Sequence, residues 1–160
     1  MRRLTNILWR LVEVAALTAF SVMLILVVAQ VVFRYFLQIA VPWTEEAARW
    51  FYAWQVFLGT SIAAREGLHL RLTLFVDRFS GRPRAFLDTA SAVLCLVFFG
   101  GIVWGSLVMI GSVSAVEAGS FRLSMSYLYL SIPVGLLGLL LLTARDLLAF
   151  ARNLLPPRRG

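Results

Sequence analysis

The sequence predicts an all-α integral membrane protein with four transmembrane helices, an interfacial amphipathic helix between the second and third, and both termini in the cytoplasm. Three observations carry this expectation. Of 160 residues, 61% are apolar and 14% are charged, and the mean hydropathy of +0.86 is far above that of a soluble domain. The charged residues bracket four long neutral runs, and the arginines gather at alternate ends of them. The same composition excludes other classes. The charge fraction is too low for a disordered chain, and Cys95, the only cysteine, has no disulfide partner in the sequence. One His and one Cys cannot supply the three or four ligands of a zinc site or the paired axial histidines of a membrane haem. No metal site and no cofactor is therefore expected.

The neutral run from Val14 to Phe33 is 20 residues long, and a helix needs about 20 residues to cross roughly 30 Å of hydrocarbon. A span over about 12–34 follows. Arg2, Arg3 and Arg10 precede it as in a signal peptide, but the run is too long for one and Val27-Val28-Ala29-Gln30 is a poor small-residue cleavage site. It reads as an uncleaved transmembrane helix.

The second run, between Arg49 and Arg65, has only 15 neutral residues, a rise of about 22 Å. To span, this helix has to borrow the turn Glu45-Glu46-Ala47-Ala48-Arg49, giving a span over about 45–65 with charges near membrane depth. Pro42-Trp43-Thr44 is a start signal: Thr44 is the expected cap, and Glu45 and Glu46 fall on the positive end of the helix dipole. Glu45 and Arg49 stand i,i+4 with the acid first, the better orientation. Two readings stay open at this point. One is a well-capped helix start at headgroup level with Trp43 as anchor. The other is a charged cluster that a second protein neutralises, since ionisable groups within spans are usually partnered.

Between the second and third spans, Leu68, Leu72, Phe75, Val76 and Phe79 recur at helical spacing, while Leu68, Leu70, Leu72 and Leu74 alternate with His69, Arg71 and Thr73 like a strand. A lone strand has nothing to pair with, and an apolar face flanked by arginines suits the headgroup boundary. An interfacial helix over about 68–79 is expected, ended by Ser80-Gly81-Arg82-Pro83. His69 is either a proton carrier or, more ordinarily, a solvated polar residue.

The third run, from Thr89 to Val116, has 28 neutral residues and predicts a long, tilted span over about 86–116. Gly101 and Gly105 form a G-x-x-x-G pair that lets another helix approach closely. The fourth run, 22 residues after Arg122, predicts a span over about 123–145, with Ser131 and Gly135 at the same small-xxx-small spacing and Pro133 as a kink.

Orientation follows from the arginines, which are all fifteen of the basic residues. Twelve lie before span one, between spans two and three, or after span four; Arg34, Arg49 and Arg122 lie on the other side. The positive-inside rule puts the termini and middle loop in the cytoplasm. The net charge of +7 is thus a topology signal, and no nucleic-acid partner is expected because the arginines form no folded basic face. No neutral run holds a midplane ionisable group of the kind coupled transport needs. No nucleophile with a base or carboxylate pair is assembled either, because Glu45 and Glu46 are adjacent on a helix and point apart. The residues predict neither an enzyme nor catalytic, substrate-binding or metal-binding positions in this chain.

The order of a first span, Trp43-x-Glu45-Glu46 with Arg49, a second span ending in Arg65-Glu66-Gly67-Leu68-His69, an arginine-bearing amphipathic segment and two further spans resembles the small (Q-type) membrane subunit of tripartite ATP-independent periplasmic (TRAP) transporters. The likeness covers nearly the whole chain. Two features depart from many relatives: Thr73 stands where they carry an acid, and Ser124-Met125-Ser126 replaces a proline-bearing lead into span four. The resemblance implies a multi-pass protein of the bacterial inner membrane, surrounded by lipids. It implies a large multi-span subunit that holds the sodium and substrate sites and moves like an elevator, and a periplasmic binding protein that delivers an organic acid, often a carboxylate. The small subunit braces the static part. Trp43, Glu45, Glu46 and Arg49 match the family motif and are expected in the contact with the large subunit or in the membrane interface beside it; Arg65, His69, Gly101 and Gly105 complete the interface candidates. Two other classes compete: a self-sufficient small exporter working as a dimer, with Glu13 as coupling carboxylate, and an anchoring subunit of an unrelated membrane complex.

Overall fold

The computed structural model describes residues 2–66 and 82–154. The expected interfacial helix at 68–79, with His69, lies outside the described residues, as do residues 155–160. Four helices account for most of the rest: α1, Arg2–Tyr35; α2, Pro42–Arg65; α3, Arg82–Ser112; and α4, Ser126–Leu154. Three are long and apolar enough to cross a membrane, over Thr5–Tyr35, Phe86–Ser112 and Ser126–Ala149. α2 is less apolar, because its charged first turn and the Trp, Tyr and Gln side chains that follow dilute its aliphatic residues.

The helix ends differ from the neutral-run boundaries for local reasons. α1 begins at Arg2 rather than near 12, since Arg is a good helix former and a charge does not end a helix. It stops where Gln38 takes the left-handed conformation, φ 54°, and the Ile39 N–H reaches back to the Phe33 carbonyl, 2.9 Å. α2 starts at Pro42, whose fixed φ suits a first helical position. Thr44 is not its cap: the N-cap is Val41, with no side-chain cap bond. The Thr44 hydroxyl instead donates to the Val41 carbonyl at 2.7 Å, and the residue is fully buried. α3 ends at Ser112, short of 116, and α4 starts at Ser126, later than 123. Residues between them form a hairpin, with the Ala118 N–H on the Leu123 carbonyl at 2.8 Å and the Met125 N–H on the Val116 carbonyl at 2.9 Å. Neutrality sets how far a segment tolerates lipid, but these cross-loop bonds decide where the helices stop.

Among the described residues the helices pack in the order α1, α2, α4, α3, so that α2 and α4 are inner and α1 and α3 are edges. This explains why the least apolar helix is the best covered: Thr44, Ala48, Trp50, Leu58 and Ser61 of α2 are buried, and Leu136 and Leu139 of α4 are the most enclosed apolar residues. The edges are the reverse. Leu11, Val14, Leu17 and Ile25 of α1 and Leu94, Val97, Trp104 and Val108 of α3 are all more than half exposed. The chain's accessible surface is 11938 Å², against about 8,000 Å² for a compact soluble protein of the same mass. The exposed apolar side chains along α1 and α3 mark a protein made to be covered by lipid or by other chains.

Candidate functional site

The start of α2 gathers the charged motif, and its two glutamates are used differently. Glu45 pairs with Arg49 one turn on, at 3.4 Å, with side chains 59% and 70% exposed. Gln30 of α1 also donates to Glu45 at 3.4 Å. So exposed a pair contributes little to stability. Glu46 faces another way, as adjacent helical positions do. Its carboxylate accepts the backbone N–H groups of Gly119, at 3.0 Å on Oε1, and of Ser120, at 2.6 Å on Oε2. Two short charge-assisted bonds thereby tie the tip of the α3–α4 hairpin to the first turn of α2.

One turn below, Trp50 and Phe121 meet edge to face, with centroids 5.2 Å apart and planes at 68°. The loop is held at its base as well: the Ser124 hydroxyl donates to the Ser114 carbonyl at 2.9 Å, and the Ser126 hydroxyl to the Ile110 carbonyl at 2.9 Å. Sequence reasoning named Glu46 but missed Gly119, Ser120 and Phe121. Gly-Ser is a usable turn signal, yet no spacing rule links a loop amide to a carboxylate 73 residues earlier.

Arg65, at the far end of α2, joins that helix to α1. Its guanidinium pairs with Glu13 and lies 5.3 Å from the centroid of the Trp9 ring, a cation–π contact. The two small-residue motifs diverge. In α4, Ser131 and Gly135 are buried: a Cβ at Gly135 would come within 2.6 Å of the Phe57 backbone, and one at Gly138 within 2.9 Å of the Ser61 hydroxyl and 3.1 Å of Trp9. Ser61 donates to the Gly135 carbonyl. In α3, a Cβ at Gly101 or Gly105 would meet nothing within 4 Å. The structure therefore brings Trp43, Glu45, Glu46 and Arg49 together at one end of α2, places Arg65 at the other, and leaves Gly101 and Gly105 on the open side of α3.

The family model for tripartite ATP-independent periplasmic transporters, DctQ component, matches residues 23–153, from the middle of α1 almost to the end of α4. The chain belongs to this family. Among similar proteins, a putative TRAP transporter small permease protein of Haemophilus influenzae is 29% identical over 108 residues, 68% of this chain and 67% of that one. The sialic acid TRAP transporter small permease protein SiaQ of Vibrio cholerae is 25% identical over 140 residues, 84% of this chain and 78% of SiaQ. The match to the DctQ family takes in α2 with its glutamates and arginine, the hairpin they hold, and the open glycine face of α3.

Proposed function

We propose that this DctQ-family chain is the small permease subunit of a TRAP-type secondary transporter of the bacterial inner membrane. It braces a large multi-span subunit that performs sodium-coupled import of an organic acid delivered by a periplasmic binding protein. All four helices span, with both termini on the cytoplasmic side as the arginine distribution directs. Sodium and substrate are bound by the large subunit, and this chain carries no chemistry of its own. The name of the Vibrio cholerae relative, a sialic acid transporter component, fits the organic-acid class.

The observation that carries the bracing role is the open row of helices. Its inner pair is locked by buried small-residue contacts, while its edge helices expose apolar surface around Gly101 and Gly105. A rigid sheet of helices with an unfilled close-approach point is a surface for another helix. The large subunit covers the α3 edge, and Trp43, Glu45 and Arg49 lie in the membrane interface beside the assembled contact. The exporter reading is disfavoured because Glu13, its only coupling carboxylate, is already paired with Arg65.

The test is co-expression with the multi-span protein encoded beside it and purification through a tag on one chain. The two are expected to co-purify in detergent and nanodiscs; separation under both conditions, or transport by this chain alone in vesicles, contradicts the proposal. Glu46→Ala or Arg49→Ala is expected to weaken assembly while leaving the sodium dependence of uptake unchanged, and a shifted sodium dependence in an intact complex would overturn the bracing role.

A further inference from the structure

Of the two edge helices, α3 carries the outward glycine face, and its hold on the rest of the chain is narrow. Among the described residues it packs against α4 and meets neither α1 nor α2, and only its Ala92 and Ser106 are buried. A helix supported along one side by one neighbour can roll or tilt on that neighbour. Whatever fixes its end therefore decides how its open face is presented.

That end is fixed by a continuous set of hydrogen bonds that starts on α2. The Glu46 carboxylate holds the N–H groups of Gly119 and Ser120 at 3.0 and 2.6 Å. From there the hairpin's own backbone bonds, Ala118 to Leu123 and Met125 to Val116, run down to its base. The Ser126 hydroxyl then bonds the carbonyl of Ile110 in the last turn of α3, and the Ser124 hydroxyl that of Ser114 just beyond it. The edge-to-face contact of Trp50 with Phe121 fastens the same loop to α2. Gly105 and Gly101 lie five and nine residues before Ile110, about 8 and 14 Å along the helix. Glu45, one residue before Glu46, joins none of these bonds and meets Arg49 and Gln30 instead.

We propose that Glu46 is a positioning residue: by pinning the hairpin tip to α2, it sets the angle at which α3 presents Gly101 and Gly105 to the large subunit. The inference rests on the bracing reading above and deepens it, giving Glu46 a task inside this chain rather than in the contact itself. A carboxylate suits that task. Its two oxygens accept two N–H groups at once, and each bond is charge-assisted. Glutamine has the same shape but turns an NH2 donor toward one of the two N–H donors, so at most one bond survives.

The test uses the full chain in nanodiscs, with Cys95→Ser and nitroxide labels at Leu17→Cys of α1 and Val108→Cys of α3, both exposed positions. Double electron–electron resonance is expected to give one narrow distance with Glu46 in place and a broad, shifted one in Glu46→Gln. Labels at Leu17→Cys and at exposed Tyr52→Cys of α2 are expected to keep their distance, which tells a change confined to α3 from general unfolding. Gly119→Ala keeps both N–H groups, and its Cβ would lie at an ordinary 3.9 Å from the Glu46 carboxylate; wild-type distances are expected. Affinity for the large subunit is expected to fall about tenfold in Glu46→Gln, the scale of coupling carried through a contiguous network. It is expected to return when the variant Glu46→Cys, Ser120→Cys is bridged by a short bis-methanethiosulfonate linker, which pins the hairpin again without the carboxylate. An unchanged α1–α3 distance in Glu46→Gln would overturn the inference. So would a bridged variant that regains the distance but not the affinity, because Glu46 would then touch the large subunit itself. If wild type does not bind the large subunit at all, the assembly reading fails, while the distances in the isolated chain still decide whether Glu46 positions α3.

Discussion

Two helices of this chain carry small residues four apart, and they put them to opposite uses. In α4, Ser131 and Gly135 face α2, where Gly135 lies against the Phe57 backbone and accepts the Ser61 hydroxyl. In α3, Gly101 and Gly105 face outward, and among the described residues a Cβ on either would meet nothing within 4 Å. The sequence signal is the same in both. What differs is position in the row: α4 is flanked on both sides, whereas α3 is an edge. A small-xxx-small pair permits a backbone to come close, and among the described residues only the α4 pair has one within this chain.

Gly135 is the tightest of these contacts. Gly135→Leu is expected to force α2 and α4 apart and destabilise the chain by about 3 kcal/mol, as overpacking of a tight interior does, measured by reversible denaturation in mixed micelles. Gly138→Ala meets a hydroxyl and a ring edge, both of which can shift, so about 1 kcal/mol is expected in the same assay. Ser61→Ala removes one interhelical hydrogen bond and is expected to cost about 0.6 kcal/mol, the usual worth of such bonds in membrane proteins. The double variant Gly101→Leu, Gly105→Leu is expected to leave the isolated chain within about 0.5 kcal/mol of wild type, as surface changes do. If the Leu pair destabilised the isolated chain as much as Gly135→Leu, the contrast between the two helices would be false.

Much of this architecture is legible in the residues because bilayer thickness turns the lengths of neutral runs into helices. The runs ending at Phe33 and beginning at Leu123 gave helices to within a few residues at those ends. The glutamate turn was legible as a feature but not in its use. Helix geometry separated Glu46 from Glu45. That the partner is the amide pair of Gly119 and Ser120 depends on a hairpin whose shape is set by backbone bonds, which residue types barely encode. Thr44 shows the converse: a residue type favoured at helix caps is here buried inside the first turn, because Pro42 starts the helix two residues earlier.

In the proposed assembly a second, larger membrane protein lies on the outward glycine face of α3. The most direct measurement replaces Gly101 by a benzophenone-bearing residue in the co-expressed complex and identifies the photo-adduct by mass spectrometry. An adduct joining this chain to the large subunit, and absent when the probe is moved to exposed Leu17 of α1, is the expected result. Adducts only with lipid or with a second copy of this chain would contradict it.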